Sequence, residues 1–169
     1  LRGTDMTTAS APMEIGRVAL TVHDIGRVGS FYQKALGLDE ISADGEVTRL
    51  GIGPRVLLEL RQDKAARRRD ASEAGLFHTA FLLPSRQDLG AWLLYAANSG
   101  LPLEGASDHL VSEAIYLSDP EGNGIEVYSD RPRDTWTIRN GSIHMTSDGL
   151  DLNNLVASAT GPWKAAPAA

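Results

Sequence analysis

Apolar and polar residues alternate along the chain in a pattern that predicts the same order of elements twice. Residues 15–38 open with the alternation of a half-buried strand and continue with apolar positions at helical spacing. Asp24 can cap this helix, and Gly37 can end it. Residues 76–101 repeat the plan, with Ser85 as the predicted helix cap.

Short strands follow each predicted helix, and turn residues separate them. The predicted strands cover residues 46–52, 55–61, 114–118 and 124–128. The chain therefore predicts the order β-α-β-β-β twice. One such unit cannot cover both faces of its sheet, so we expect an α+β fold in which two paired β-α-β-β-β modules form a cupped mixed β-sheet with the helices outside.

This repeat divides the chain into predicted segments. The C-terminal extension contains one more short helix, for which Asp148 or Asp151 is the expected cap. The segments are residues 1–13 (a tag or disordered N-terminus), 14–62 (first module), 63–75 (charged connector), 76–130 (second module), 131–160 (C-terminal extension) and 161–169 (linker-like tail).

Composition and charge narrow the classes of function. The chain has 169 residues, of which 42% are hydrophobic, and a net charge of −6. A negative protein without a clustered basic surface is a poor partner for nucleic acid. It has no cysteine, which excludes disulfides and thiolate sites. No apolar stretch predicts a membrane span or a signal peptide, so we expect a cytoplasmic protein that does not enter a membrane.

Polar residues occupy equivalent strand positions in the two modules. Arg17 aligns with His78, and Glu59 aligns with Glu126. Each lies on the less apolar side of its strand, so all four are expected to face the hollow of the cupped sheet. Carboxylate oxygen and imidazole nitrogen could bind Fe²⁺, Zn²⁺, Mn²⁺ or Ni²⁺ there.

Arg17 is the exception among these four positions. A guanidinium group is permanently cationic and cannot act as a metal ligand. It could instead occupy the electrostatic place of the metal and form ion pairs with Glu59 or Glu126. The hollow would then contain a lost metal site, or a site where Arg17 binds an anionic small molecule.

Tyr116 belongs to the same predicted face. If the hairpin around "DPEGNG", residues 119–124, pairs Ser118 with Gly124, then Tyr116 lies directly across from Glu126. A phenol beside a carboxylate in a cavity can bind substrate or donate a proton.

Two stretches of this sequence resemble the vicinal oxygen chelate superfamily, which contains glyoxalase I, fosfomycin- and bleomycin-resistance proteins and extradiol dioxygenases. They are "VALTVHDIGRVGSFYQKALGL" and "YLSDPEGNGIEVY". The resemblance implies a divalent metal held by His78, Glu126 and Glu59. The remaining ligand position of the family falls on Arg17, and this departure leaves two alternatives: a divalent metal (Fe, Zn, Mn or Ni) on the three other residues, or no metal because Arg17 replaces a ligand.

A second resemblance is to the N-terminal half of two-domain bacterial proteins of the catechol 2,3-dioxygenase type. It rests on "GASDHLVSEAIYLSDPEGNGIEVYSDRPRDTW" and the later "LDLNNL". It implies catalytic roles for Tyr116 and His109, a substrate-binding role for Tyr116, and a chain that forms one half of a longer protein.

Three functions remain open. The chain could be a metal-dependent enzyme, either a ring-cleaving dioxygenase or a glyoxalase-type lyase. It could be a metal-free binding module similar to bleomycin-resistance proteins, or a structural half that pairs with another module. In each case we expect a small-molecule ligand or a partner module, with a homodimer as the expected assembly. His23 and His144 have no predicted role.

Overall fold

Two modules with the predicted order of elements make up the computed structural model, which describes residues 15–68, 70 and 72–164. The predicted tag and the last five residues of the predicted tail lie outside this range. The first module contains β1 (Val18–Val22), α1 (Ile25–Leu36), β2 (Asp39–Asp44), β3 (Val47–Ile52) and β4 (Arg55–Gln62). The second contains β5 (His78–Leu82), α2 (Arg86–Asn98), β6 (Leu103–Asp108), β7 (Ser112–Ser118) and β8 (Gly124–Asp130).

Each module forms its own four-stranded mixed sheet. The strand orders are β1-β4-β3-β2 and β5-β8-β7-β6, which are equivalent. In both sheets the first strand of the module pairs in parallel with the last, and the other neighbours are antiparallel. The helix between them supplies the crossover that a parallel pair requires. The predicted α+β fold of paired β-α-β-β-β modules is confirmed.

The two long helices begin and end as the sequence predicts. Asp24 accepts a hydrogen bond from the backbone N–H of Arg27 at 2.9 Å, and Ser85 caps α2 in the same way. Gly37 adopts the left-handed conformation, with φ of 65°, and ends α1.

One apolar core joins the two modules. Leu58 and Leu60 of β4 and Val127 of β8 are fully buried, and Ile125 of β8 is almost fully buried. All four contribute to the same core. Trp92 of α2 is completely buried, and its indole Nε1 donates to the Ala35 carbonyl at the end of α1, at 2.8 Å. The helices therefore share the core side of the sheets, and the alternate residues of each strand lie on the opposite face.

The C-terminal extension adds elements that the hydrophobic pattern did not locate. A 3-10 helix (Arg133–Thr135) precedes the two-stranded hairpin of β9 (Ile138–Arg139) and β10 (Ser142–Ile143). The predicted short helix is α3 (Leu152–Ala157), whose cap is Asp151. Strands β2 and β6 were also not located from the sequence. No helix in the described ranges is long and apolar enough to span a membrane.

The turn between β7 and β8 connects the second module to the first. Asp119 organises the turn by accepting from the backbone N–H groups of Glu121 and Asn123. This leaves the Glu121 carboxylate to accept from the backbone N–H groups of His23 and Asp24 at 2.8–3.0 Å, ahead of α1. The His23 ring also contacts Glu121, at 3.1 Å. A carboxylate of one module therefore completes the helix start of the other.

The ionisation of His23 and Glu121 is coupled to this junction. The His23 ring contacts the Ala66 carbonyl and the Glu121 carboxylate, and these contacts raise the pKa of His23 above its ordinary value of 6.5. Burial pushes the pKa of Glu121 upward, but the hydrogen bonds from His23 and Asp24 outweigh it and lower the pKa below 4.5. Both shifts favour the charged forms, so the junction stabilises the fold most when both groups are ionised.

We expect Glu121→Gln to lower the free energy of unfolding by about 1–3 kcal/mol, because one carboxylate oxygen is replaced by an NH₂ group facing backbone donors. Urea denaturation at pH 6 measures the change. Glu104→Gln, at an exposed position of β6, is the matched control and should change stability little.

The destabilisation by Glu121→Gln should depend on pH in a defined direction. Glu121 contributes above its ordinary pKa of 4.5, and this contribution is lost as the pH falls through the lower folded value. His23 contributes below 6.5, and its part is lost as the pH rises through the higher folded value. The loss of stability in Glu121→Gln should therefore be largest between pH 4.5 and pH 6.5. A loss that does not change with pH would contradict an ionic contact between His23 and Glu121.

Candidate functional site

Strand register places the four predicted positions equivalently in the two modules. Glu59 pairs with Ala19, two residues after Arg17, and Glu126 pairs with Ala80, two residues after His78. Side chains two apart in a strand share a face. Arg17 and Glu59 therefore share the face opposite α1, and the predicted alignment of the modules holds in the structure.

A continuous chain of hydrogen-bonding groups occupies this face in the second module. His78 Nε2 lies 2.6 Å from Glu126 Oε2, and the Tyr116 hydroxyl lies 3.1 Å from Glu126 Oε1. Tyr116 pairs directly with Glu126 across β7 and β8, and Ser118 pairs with Gly124, as the hairpin prediction required. His109 Nε2 lies 2.8 Å from the Tyr116 hydroxyl. The structure therefore brings together His78, Tyr116 and Glu126, which were predicted for this face, and places His109 beside them.

The outer end of the chain is fixed by the C-terminal extension. His109 Nδ1 lies 2.6 Å from the backbone carbonyl of Thr146. A carbonyl only accepts, so Nδ1 carries a proton and Nε2 faces Tyr116. Burial raises the pKa of Tyr116 to about 12, with added effects from the charge of Glu126 and their hydrogen bond. The phenol therefore remains protonated at neutral pH.

The equivalent face of the first module has different chemistry. Glu59, almost completely buried, accepts from Arg49 Nε at 2.9 Å and from Arg61 Nη2 at 2.6 Å. Arg17 Nε lies 3.7 Å from the same carboxylate. The hydrogen bond from Arg61 contributes most to lowering the pKa of Glu59, against the opposing effect of burial. Glu59 is thus a paired anion, and its predicted ion pair with Arg17 is present.

These residues do not fit the three-ligand metal site that the family implies. A protein-bound transition metal generally needs three or more donor side chains. Across the residues that the structure describes, no group of three His, Asp or Glu side chains is arranged to hold a metal ion. His78 and Glu126 form a two-donor pair, Glu59 is engaged by arginines, and Arg17 has no lone pair to donate. These residues therefore do not support a chemical step through a metal.

Several residues of the site were missed from the sequence. Arg49 and Arg61 reach Glu59 through strand register, since Arg49 pairs with Glu59 and Arg61 is two residues along the same strand. Knowledge of that register would have identified them. Phe77, whose ring centroid is 5.1 Å from that of His78 and which is 78% exposed, lies beside the site. The contact between His109 and Thr146 could not be predicted from residue types, because it uses the backbone carbonyl that every residue has.

Comparison with known proteins identifies the family. The Glyoxalase/Bleomycin resistance protein/Dioxygenase superfamily matches residues 14–127. The chain belongs to this superfamily. The matched residues include both modules except for the end of β8.

One curated relative, the Catechol-2,3-dioxygenase of Bacillus subtilis (strain 168), is 40% identical over 157 residues. That alignment covers 91% of this chain and 55% of the relative, so the chain spans about half of the relative's length.

Solved structures share the fold at lower identity. A glyoxalase/dioxygenase from Nostoc punctiforme has a TM-score of 0.60 at 20% identity, covering 72% of this chain and 95% of its own. A lactoylglutathione lyase from Agrobacterium tumefaciens has a TM-score of 0.56 at 24% identity, covering 70% of this chain and 94% of its own. These two similarities describe the fold alone.

We expect the chain, purified without a metal-affinity tag, to contain far less than one iron, zinc, manganese or nickel ion per molecule by elemental analysis. Arg17 occupies the position equivalent to His78, and the charge of Glu59 is already balanced by arginines. Near-stoichiometric metal in the wild-type chain would contradict this expectation.

Arg17→His should raise the metal content, because it replaces a permanent cation beside Glu59 with an imidazole donor. Arg27→His on the exposed side of α1 is the matched control, since it makes the same substitution away from the carboxylates. Equal metal uptake by both variants would show that Arg17 does not occupy a ligand position.

Proposed function

We propose that this chain is one half of a ring-cleaving, extradiol-type protein and that its own role is to bind a small catechol-like diol. Superfamily membership and the 40% identity to a catechol 2,3-dioxygenase support the substrate class. The observation that carries the proposal is the hydrogen-bonded chain formed by His109, Tyr116, Glu126 and His78.

This chain of groups handles one proton as a unit. The Tyr116 hydroxyl has a single proton and two neighbours, His109 Nε2 and Glu126 Oε1. Both contacts are hydrogen bonds at the same time only when these four side chains together hold one additional proton, either on His109 Nε2 or on Glu126. Transfer of this proton between His109 Nε2 and Glu126 reverses the direction in which Tyr116 donates. Tyr116 can therefore give a proton to a bound ligand or take one from it.

A catechol offers chemistry that complements this site. Its hydroxyl groups donate and accept as Tyr116 does, so they can bond to Tyr116 or Glu126. Its ring can stack on Phe77, which is exposed beside His78. In this proposal Tyr116 and His109 carry the predicted catalytic roles by exchanging the diol proton, and Tyr116 also binds the substrate.

The metal-dependent part of ring cleavage is assigned in this proposal to residues outside the four positions. The chain covers 55% of its curated relative, so a second module supplied by a longer chain or by a second copy is the proposed partner. Family members pair modules of this fold, and the predicted homodimer is one form of that pairing.

A second candidate is a metal-free module that binds a small molecule without cleaving it. It is favoured by Arg17 at a ligand position and by the lack of a three-donor group among the described residues. The two candidates differ in one measurable property, because only the first leads to oxygen consumption when the partner module and iron are supplied.

Catechol should bind the chain, and Tyr116→Phe should weaken the binding by about five- to tenfold, because one hydrogen bond is lost and Glu126 loses a donor. Isothermal titration calorimetry with catechol measures the affinity. Tyr95→Phe is the matched control, since the Tyr95 hydroxyl donates to the Lys34 carbonyl on the helix side.

An unchanged affinity in Tyr116→Phe, or no binding of catechol by the wild-type chain, would overturn the proposed site. Oxygen uptake with catechol and iron(II), measured on the full-length protein and on this chain, separates the two candidates. Uptake by the full-length protein supports the ring-cleaving function, and catechol binding without uptake in either supports the metal-free module.

A further inference from the structure

Three arginines surround one carboxylate on the non-helical face of the first module. Arg49 of β3 pairs with Glu59 of β4, Arg61 lies two residues further along β4, and Arg17 lies immediately before β1. Alternation places Arg49, Glu59 and Arg61 on the same side of the sheet, away from α1. The sheet therefore fixes Arg49, Glu59 and Arg61, and Arg17 lies one residue outside it.

The carboxylate is covered, and the guanidinium groups are open to solvent. The side chain of Glu59 is 3% exposed, whereas those of Arg17, Arg49 and Arg61 are 54%, 34% and 57% exposed. Glu59 thus holds the arginines in place through hydrogen bonds to Arg49 and Arg61 and an ion pair with Arg17. The exposed parts of the three arginine side chains are within reach of a ligand.

The cluster has more positive charge than its own carboxylate can balance. Three guanidinium groups and one carboxylate leave two unbalanced positive charges. In the described part of the chain, no second carboxylate lies within ion-pair distance of these three arginines. Like charges held this close repel one another, and an added anion relieves the repulsion.

The hydrogen-bond donors are also in excess. Each guanidinium group has five N–H donors. Arg49 uses Nε on Glu59, Arg61 uses Nε and Nη2, and Arg17 approaches no closer than 3.7 Å. The remaining donors of Arg17 and Arg49 have no hydrogen-bond partner among the described residues. Such planar donor pairs match the oxygen atoms of carboxylate and phosphate groups.

We propose that Arg17, Arg49 and Arg61 form a binding site for the anionic group of a small molecule, with dianions preferred. Two unbalanced positive charges match a phosphate dianion better than a single carboxylate. A polyanionic macromolecule does not fit, because the protein has a net charge of −6 and a long polymer needs a wider positive surface. The site does not depend on the ring-cleaving function proposed above.

Calorimetric titration with inorganic phosphate at pH 8 and low salt tests this site, and titration with acetate tests the preference for a dianion. We expect a phosphate Kd on the order of 1 mM, with acetate several-fold weaker. The Nε–H resonances of Arg49 and Arg61 in ¹H–¹⁵N spectra should shift with phosphate concentration, which locates the bound ion.

Arg17→Gln should weaken phosphate binding by about five- to tenfold, since it removes one charge-assisted contact. Arg17 lies outside hydrogen-bond distance of Glu59, so this variant leaves both short bonds to the carboxylate in place. Arg27→Gln makes the same charge change on α1 and should weaken binding less than twofold.

Equal weakening by Arg17→Gln and Arg27→Gln would show that phosphate responds only to net charge, and would overturn the site. So would unshifted Arg49 and Arg61 resonances at saturating phosphate. Acetate binding as tight as phosphate would overturn the preference for a dianion. Catechol affinity is measured separately through Tyr116, so failure of the anion site and failure of the diol site are distinguishable.

Discussion

The parallel pairing of the first and last strands within each module is the constraint on which the site depends. In the first module it sets Ala19 beside Glu59, and in the second it sets Ala80 beside Glu126. Because a strand side chain alternates with period two, a slip of one residue would move each glutamate into the apolar core. The buried leucines of β4 and the buried Ile125 and Val127 of β8 oppose such a slip.

The two modules use this shared geometry for different chemistry. In the second module a glutamate is hydrogen-bonded to a histidine and a tyrosine. In the first, the equivalent glutamate is bonded to arginines, which stay charged at any accessible pH. The carboxylate has an equivalent position in the two modules, and only its neighbours differ: arginines in the first module, a histidine and a tyrosine in the second.

The features that could be predicted from the sequence are those determined by residues close together in the chain. The caps of α1 and α2, the hairpin register that sets Tyr116 opposite Glu126, and the equivalence of the modules all follow from short-range patterns. The arginines around Glu59 were missed because their meeting depends on which strands become neighbours. Strands β2 and β6 were missed because they lie at sheet edges, where few of their side chains are buried and alternation is weak.

The contact between Glu121 and the start of α1 has a consequence for how the protein is made. His23 and Asp24 leave the ribosome almost one hundred residues before the carboxylate that completes their hydrogen bonds. During synthesis the backbone N–H groups ahead of the first helix therefore lack this acceptor. They gain it only once the turn of the second module has been translated.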